Sequence, residues 1–492
     1  MKARSLILVG LILCTLQLVF AAWIHRPMMN DGSFWYFFIF HLRKPFWDIT
    51  YVRWLDTLLQ WPAVLFLRAF ENRFEDITPI VSGMMSFAYS LHPMVSLGAC
   101  WKILTAKKRM DLLAFPVLAL ALSTLPTLAF ATGEAPDAIS VFWPLFLLVV
   151  LRKPIDGLKD WANTLPILIL TLALALSYEP AVFGFAVLVL VTALRIRDLK
   201  ASTKSSRMTE WFLLALFSLG IFWLVYRAIG PTHGYQGNFL RSIKSTPQGL
   251  RVYGFILGAA LIPSIGMAFL KKGGNRWTNG LLLSVTGGAT IWMLYRALIA
   301  QWWLEENILG QAFDARTTAL PMTALIAGLA IPLARRTAEF NAAFAQKTLD
   351  WVASVALGVA VINDFQVSLH WNRGVQFLKN YLEKNPGCTV LTREAYQRDF
   401  LKYGLAAWDL PHASVVLLNR RKANALVFAD PLGEAAPKIT PDYCGKFKKG
   451  MTGVEDLNIA ATTEYPVPIA GPHVYWDLSP LIPKDGALGQ KK

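Results

Sequence analysis

Apolar residues in this chain come in long, nearly unbroken runs separated by short polar clusters. A helix needs about 20 mostly apolar residues to cross a bilayer. Runs of this kind recur at 5–23, 78–101, 111–131, 137–151, 163–178, 180–194, 209–229, 250–270, 277–299, 318–334 and 348–368. The pattern predicts a polytopic α-helical membrane protein with about 11 transmembrane helices. The first run follows Met-Lys-Ala-Arg and lacks a convincing small-residue cleavage site, so it reads as an uncleaved first helix rather than a signal peptide.

Two apolar stretches do not fit a full span. The aromatic stretch 34–40 is too short to cross and suits the headgroup boundary, where aromatic rings settle. The segment 52–70, VRWLDTLLQWPAVLFLRAF, has a short uninterrupted apolar part, Trp61–Leu67. Its Arg53, Asp56 and Gln60 share one helical face, as an amphipathic helix lying in or dipping into the interface requires. Both then belong to one long loop, 24–77.

Composition agrees with the pattern. The 492 residues are 55% hydrophobic and 16% charged, where soluble domains carry roughly 25% charged residues. The net charge of +16 does not point to nucleic acid, because Lys and Arg fall in clusters between apolar runs. With the N-terminus inside, those clusters all lie in cytoplasmic loops, among them Lys107–Arg109, Arg152 and Lys153, Arg195 and Arg197, and Arg335 and Arg336. The expected location is the bacterial inner (cytoplasmic) membrane. Residues 1–370 form the transmembrane bundle and 371–492 an extracytoplasmic, periplasmic α/β domain with a flexible tail.

That C-terminal domain starts with a helical stretch, NRGVQFLKNYLEKNPG, and continues with CTVLT, ASVVLLN and NALVFAD, which read as strands. Its Cys388 and Cys444 are the expected disulfide, since an outside domain lies in a disulfide-permissive compartment. Cys14 and Cys100 lie in spans and read as small apolar residues.

Ionisable groups gather at the outer ends of the predicted spans. Asp31 follows the first span; Glu134 and Asp137 stand in the second outer turn and Glu179 in the third. Arg241 and Lys244 lie in the fourth outer loop, and Arg316 in the fifth. Each has a plain alternative: Asp31, Glu134 and Asp137 as helix caps, Glu179 as an acid before Pro180 at a helix start, Arg241 and Lys244 as contacts to lipid headgroups. Glu179 has hardly any loop around it, so it is expected to be partly desolvated and to have a partner or a role. Within the spans little is ionisable; His92, beside Pro93, is the main exception and reads as a helix-packing hydrogen bonder.

Outside the cytoplasmic membrane there is no supply of nucleotide sugars, so group transfer there uses lipid-carried donors. Such transfer needs a carboxylate to take the acceptor proton, a cation for the departing phosphate, and an apolar groove for the lipid. Here the chain resembles the GT-C superfamily of membrane glycosyltransferases over residues 1–370. The resemblance rests on the many spans with the N-terminus inside, the long first outer loop 24–77 and Asp31 just after the first span. Short acid-bearing outer turns and a C-terminal outer domain complete it. It implies inverting transfer of a sugar from a polyprenyl-phosphate donor to a glycan, lipid or protein acceptor. It makes Asp31 the leading base, with Glu134 and Glu179 as further candidates, and Arg53, Arg241, Lys244 and Arg316 the phosphate contacts. The chain departs from the superfamily's paired loop-one acids, because Asn30 precedes Asp31. No cofactor is evident; acids on one face can hold a divalent cation, although no spacing demands one. The alternatives from other classes are a lipid or polysaccharide flippase or transporter and a non-catalytic scaffold of an envelope complex.

Overall fold

The computed structural model describes residues 3–28, 54–70, 78–125, 134–152, 158–198, 204–229, 276–298, 308–335, 342–385, 388–391, 393–400 and 425–428, with single positions such as Trp35, Tyr36 and Ile39. They are overwhelmingly helical. Helix α1 spans Ala3–Trp23, α2 Trp54–Phe70, α3 Thr78–Ala106, and α4 Ala114–Ala119, which runs on as a π turn over Leu120–Thr124. Then follow α5 Glu134–Val150, α6 Leu158–Ala175, α7 Val182–Asp198, α8 Lys204–Ile229, α9 Arg276–Leu298, α10 Ile308–Ala334 and α11 Ala342–Lys384.

Among the described residues four helices are long and apolar enough to cross a membrane: Ser5–Trp23, Glu179–Asp198, Arg207–Ile229 and Lys347–Lys384. Shorter apolar helices fill Met110–Thr124, Ala135–Val150, Thr164–Ala175 and Thr318–Ala334. A continuous apolar core joins α1, α3, α4, α5, α7, α8, α10 and α11, with Phe142, Phe146, Phe185 and Phe217 fully enclosed. The outward faces are apolar as well: Leu8, Ile12 and Leu16 on α1 and Leu219, Phe222 and Tyr226 on α8 are more than half exposed. Stripes of this size mark a surface made for lipid. The chain is thus a helical, membrane-associated protein.

Helices α1 and α11 run parallel. Gly10 abuts Leu357, Gln17 bonds Asp364 and Ser368, and the Trp371 indole donates to the Ile24 carbonyl. Residue numbers rise together on both helices, which settles their relative direction. Helix α11 is one continuous element of 43 residues, so the expected domain boundary near residue 370 falls inside it. Beyond it, β1 (Cys388–Leu391) pairs in parallel with β2 (Ala425–Phe428), in register Cys388 to Ala425, and the short helix α12 (Arg393–Asp399) follows β1.

Helix α2 overturns one expectation. An amphipathic helix in the interface turns its polar face to water, yet Asp56 and Gln60 are buried against α3 and Leu58 and Leu65 face outward. The polar stripe finds partners inside the bundle, and the apolar stripe faces the apolar exterior. The aromatic stretch behaves similarly: Trp35 and Tyr36 are buried in protein, with the Trp35 ring 5.6 Å from that of Tyr89.

Candidate functional site

The site grows from a proline. Pro93 lies inside α3 and has no N–H, so the Tyr89 carbonyl one turn earlier loses its helical partner. The His92 ring fills the vacancy: its Nδ1 lies 2.8 Å from the Tyr89 oxygen. A carbonyl only accepts, so Nδ1 carries the proton. Nε2 then faces Asp137 Oδ1 at 2.9 Å, and the Pro136 backbone also lies close to the ring. Asp137 is 2% exposed, in the first turn of α5. The His92–Asp137 contact is close but off-line, so among the described residues neither carboxylate oxygen has an aligned hydrogen bond. A neutral imidazole with Nδ1–H would set a lone pair against a carboxylate. The contact is therefore stable only if the pair shares a proton, as imidazolium and carboxylate or as imidazole and acid.

Around this pair lies a seam of polar side chains. Tyr89 donates its hydroxyl to the Asp56 carbonyl at 3.2 Å, and Gln60 Nε2 donates to the Tyr89 oxygen at 3.3 Å. The Asp56 and Asp137 carboxylates both lie close enough to act on Tyr89. One turn nearer the start of α3, the Tyr36 hydroxyl donates to the Ser82 carbonyl and meets Ser86 Oγ at 2.7 Å; His25 Nδ1 lies 3.3 Å from the same Ser86 Oγ. Complete burial pushes the Tyr36 phenol well above its usual range, so it stays protonated. A histidine in contact with a carboxylate is the equipment of acid–base chemistry.

A second polar group ties α1 to α11. Arg26 and Asp364 form an ion pair at 2.7 Å, both side chains 1% exposed; Gln17 Nε2 donates to the same carboxylate and to Ser368 Oγ, and Ser368 Oγ accepts from Arg26 and donates to the Asp364 backbone carbonyl. Removing one partner of such a buried pair costs about 3–5 kcal/mol. Asp364 corrects the expectation that His92 is the main ionisable group within the spans.

Glu179 is buried and paired with Arg227 at 2.8 Å, and Arg227 also donates to the Ala175 carbonyl at the end of α6. The guanidinium thus closes α6, the start of α7 and the end of α8 into one corner, which accounts for Glu179's burial. At the opposite helix ends, Arg152 and Arg195 converge on Glu210, and Arg109 donates to the Leu333 and Ala334 carbonyls, which end α10. Cations at helix C-termini satisfy orphan carbonyls.

The structure thus turns two expected bystanders, His92 and Asp137, into the centre of the site. Glu134 opens α5 one turn before Asp137, and Arg316 lies on α10; the side chains of both fall outside the description. Asp31, Arg53, Arg241, Lys244 and Cys444 lie outside the described residues, and with them the expected Cys388–Cys444 bridge. Cys14 and Cys100 are free and buried. Among the described residues no group of three or more His, Cys, Asp or Glu side chains gathers to hold a metal. Sequence reasoning missed Arg26, Asp364 and Arg227. The available signal was a charge inside or at the edge of an apolar run, which membrane burial makes costly and so demands a partner.

No family model, curated protein or solved structure matches the chain.

Proposed function

We propose that the chain is a GT-C-like membrane glycosyltransferase. On this reading it has eleven crossings and a C-terminal α/β domain outside. It moves a sugar from a polyprenyl-phosphate donor to a glycan, lipid or protein acceptor on the outer face of the bacterial cytoplasmic membrane, in envelope or exopolysaccharide assembly. The observation that carries the proposal is the buried seam of Asp56, Gln60, Tyr89, His92 and Asp137, enclosed by a helix whose outward side is apolar. A base that takes a proton from an acceptor hydroxyl works best shielded from water, and a lipid donor needs an apolar flank beside it. Asp31 and the His92–Asp137 pair are the two candidate bases.

A strain lacking the protein is expected to accumulate an unused polyprenyl-phosphate sugar and to lose the corresponding surface glycan. Asp31→Asn and Asp137→Asn separate the candidates, because the base is the one whose loss abolishes product while the protein remains inserted. Unchanged lipid-linked sugars and surface glycans in the deletion strain would sink the proposal.

One observation favours a second reading. A proton-holding pair midway along α3 also suits a proton-coupled lipid flippase. In that case the unused lipid-linked intermediate accumulates on the inner leaflet instead of the outer one.

A further inference from the structure

Among the described residues, Arg26 is held through one of its three nitrogens. Nη1 donates to Asp364 Oδ1 at 2.7 Å, to the Asp364 carbonyl at 3.2 Å and to Ser368 Oγ at 2.9 Å. Among the described residues, Nε and Nη2 are buried and have no hydrogen-bond partner. Those two N–H groups form the parallel edge of the guanidinium, the one that grips a carboxylate or phosphate through two bonds at once. Asp364 does not use that edge. It spends Oδ1 on Nη1 and Oδ2 on Gln17 Nε2 at 2.9 Å. Leaving a buried charged donor unmatched is costly, so an arginine fixed by one hand with its bidentate edge empty is built for something else.

Three further features agree. His25 has φ 53°, in the left-handed region that non-glycine residues seldom occupy. That turn ends α1 and folds Arg26 back against α11; retained strain of this kind clusters at ligand sites. Lys379 on α11 is near enough to act on His25, so a second cation stands by. Depth matters most. The 21 residues of α1 span about 31 Å, the thickness of a hydrocarbon core, so the residue that follows its end stands at headgroup level.

We propose that the free Nε/Nη2 edge of Arg26 is an oxyanion site that takes a phosphate, carried at headgroup level by a lipid. It rests on α1 crossing the membrane, and it supplies the phosphate contact that the transferase reading requires.

The test uses the full chain in phosphatidylcholine nanodiscs doped with polyprenyl phosphate, with uncharged polyprenol as control and inorganic phosphate in a separate arm. Native mass spectrometry counts bound lipid, and thermal melting reports stabilisation. The wild type is expected to retain polyprenyl phosphate and not polyprenol. Arg26→Lys keeps the charge beside Asp364 but removes the fork, and should bind at least about tenfold more weakly, the loss of one charge-assisted hydrogen bond. Should that variant fail to fold, Arg26→Gln with Asp364→Asn keeps a neutral hydrogen-bonded pair and should melt near the wild type while losing the lipid. Stabilisation by inorganic phosphate that Arg26→Lys abolishes would support the site with a free anion as its ligand. Wild-type affinity in Arg26→Lys or in the double variant, or no binding of either phosphate by the wild type, overturns the proposal. The transferase reading fails separately: unchanged glycans in the deletion strain leave nanodisc binding untouched.

Discussion

Burial, reinforced by the charge of Lys379, pulls the His25 pKa below its usual 6.5, and acceptance by the Ser82 backbone offsets this only in part. The imidazole also touches Ser86. Because the folded pKa lies below the unfolded one, the unfolded chain binds more protons at acid pH, and stability rises with pH across that window. The contribution is complete above the unfolded value of 6.5 and is lost as pH falls through the folded value. Melting temperature in nanodiscs should therefore drop on acidification from about pH 7.5 to about pH 5, and His25→Gln should flatten that drop. An equal drop in the variant would assign it to other groups. His25 also shows what was hidden at this scale. Asp137 sits in Glu-Ala-Pro-Asp, which matches a helix start locally, so its chemistry emerges only through His92 on another helix. The Arg26–Asp364 pair joins residues 338 apart in the chain, beyond the reach of any local pattern.

Between elements, α7 and α8 approach closely at Gly220. A Cβ built on Gly220 would lie 2.6 Å from the Phe185 ring, which packs in the core tilted against Phe217. Gly220→Ala should destabilise the bundle by about 1–3 kcal/mol through overpacking, seen as a lower melting temperature. Adding Phe185→Leu should recover part of the loss; no recovery would show that the ring is not the obstacle. Helices were legible in the sequence because hydropathy is a local sum, and the apolar runs that are described are helical. The orientation of α2 was not, because its polar stripe could satisfy itself in water or in protein. The Tyr89 hydroxyl, 33 residues from Asp56, decided the matter.

Across the whole molecule, parallel α1 and α11 have a topological consequence. If both cross the membrane, an odd number of crossings separates the N-terminus from the residues after α11. Reporter fusions at the N-terminus and after Lys384 should therefore score on opposite sides; scores on the same side would overturn the pairing or the crossings. Helix α11 adds a mechanical consequence. Its 43 residues reach about 65 Å, roughly twice a hydrocarbon core, without a proline to hinge it. Near the far end Phe377 and Tyr381 clasp Phe400 edge-on, which fastens the strand region to the shaft. Such a rod is a lever: a tilt of about 5° at its base swings the tip by roughly 5–6 Å over that length. Asp364, which anchors Arg26, sits near the middle of the shaft, so an anion taken up at the proposed Arg26 site would act directly on the helix that leads into β1.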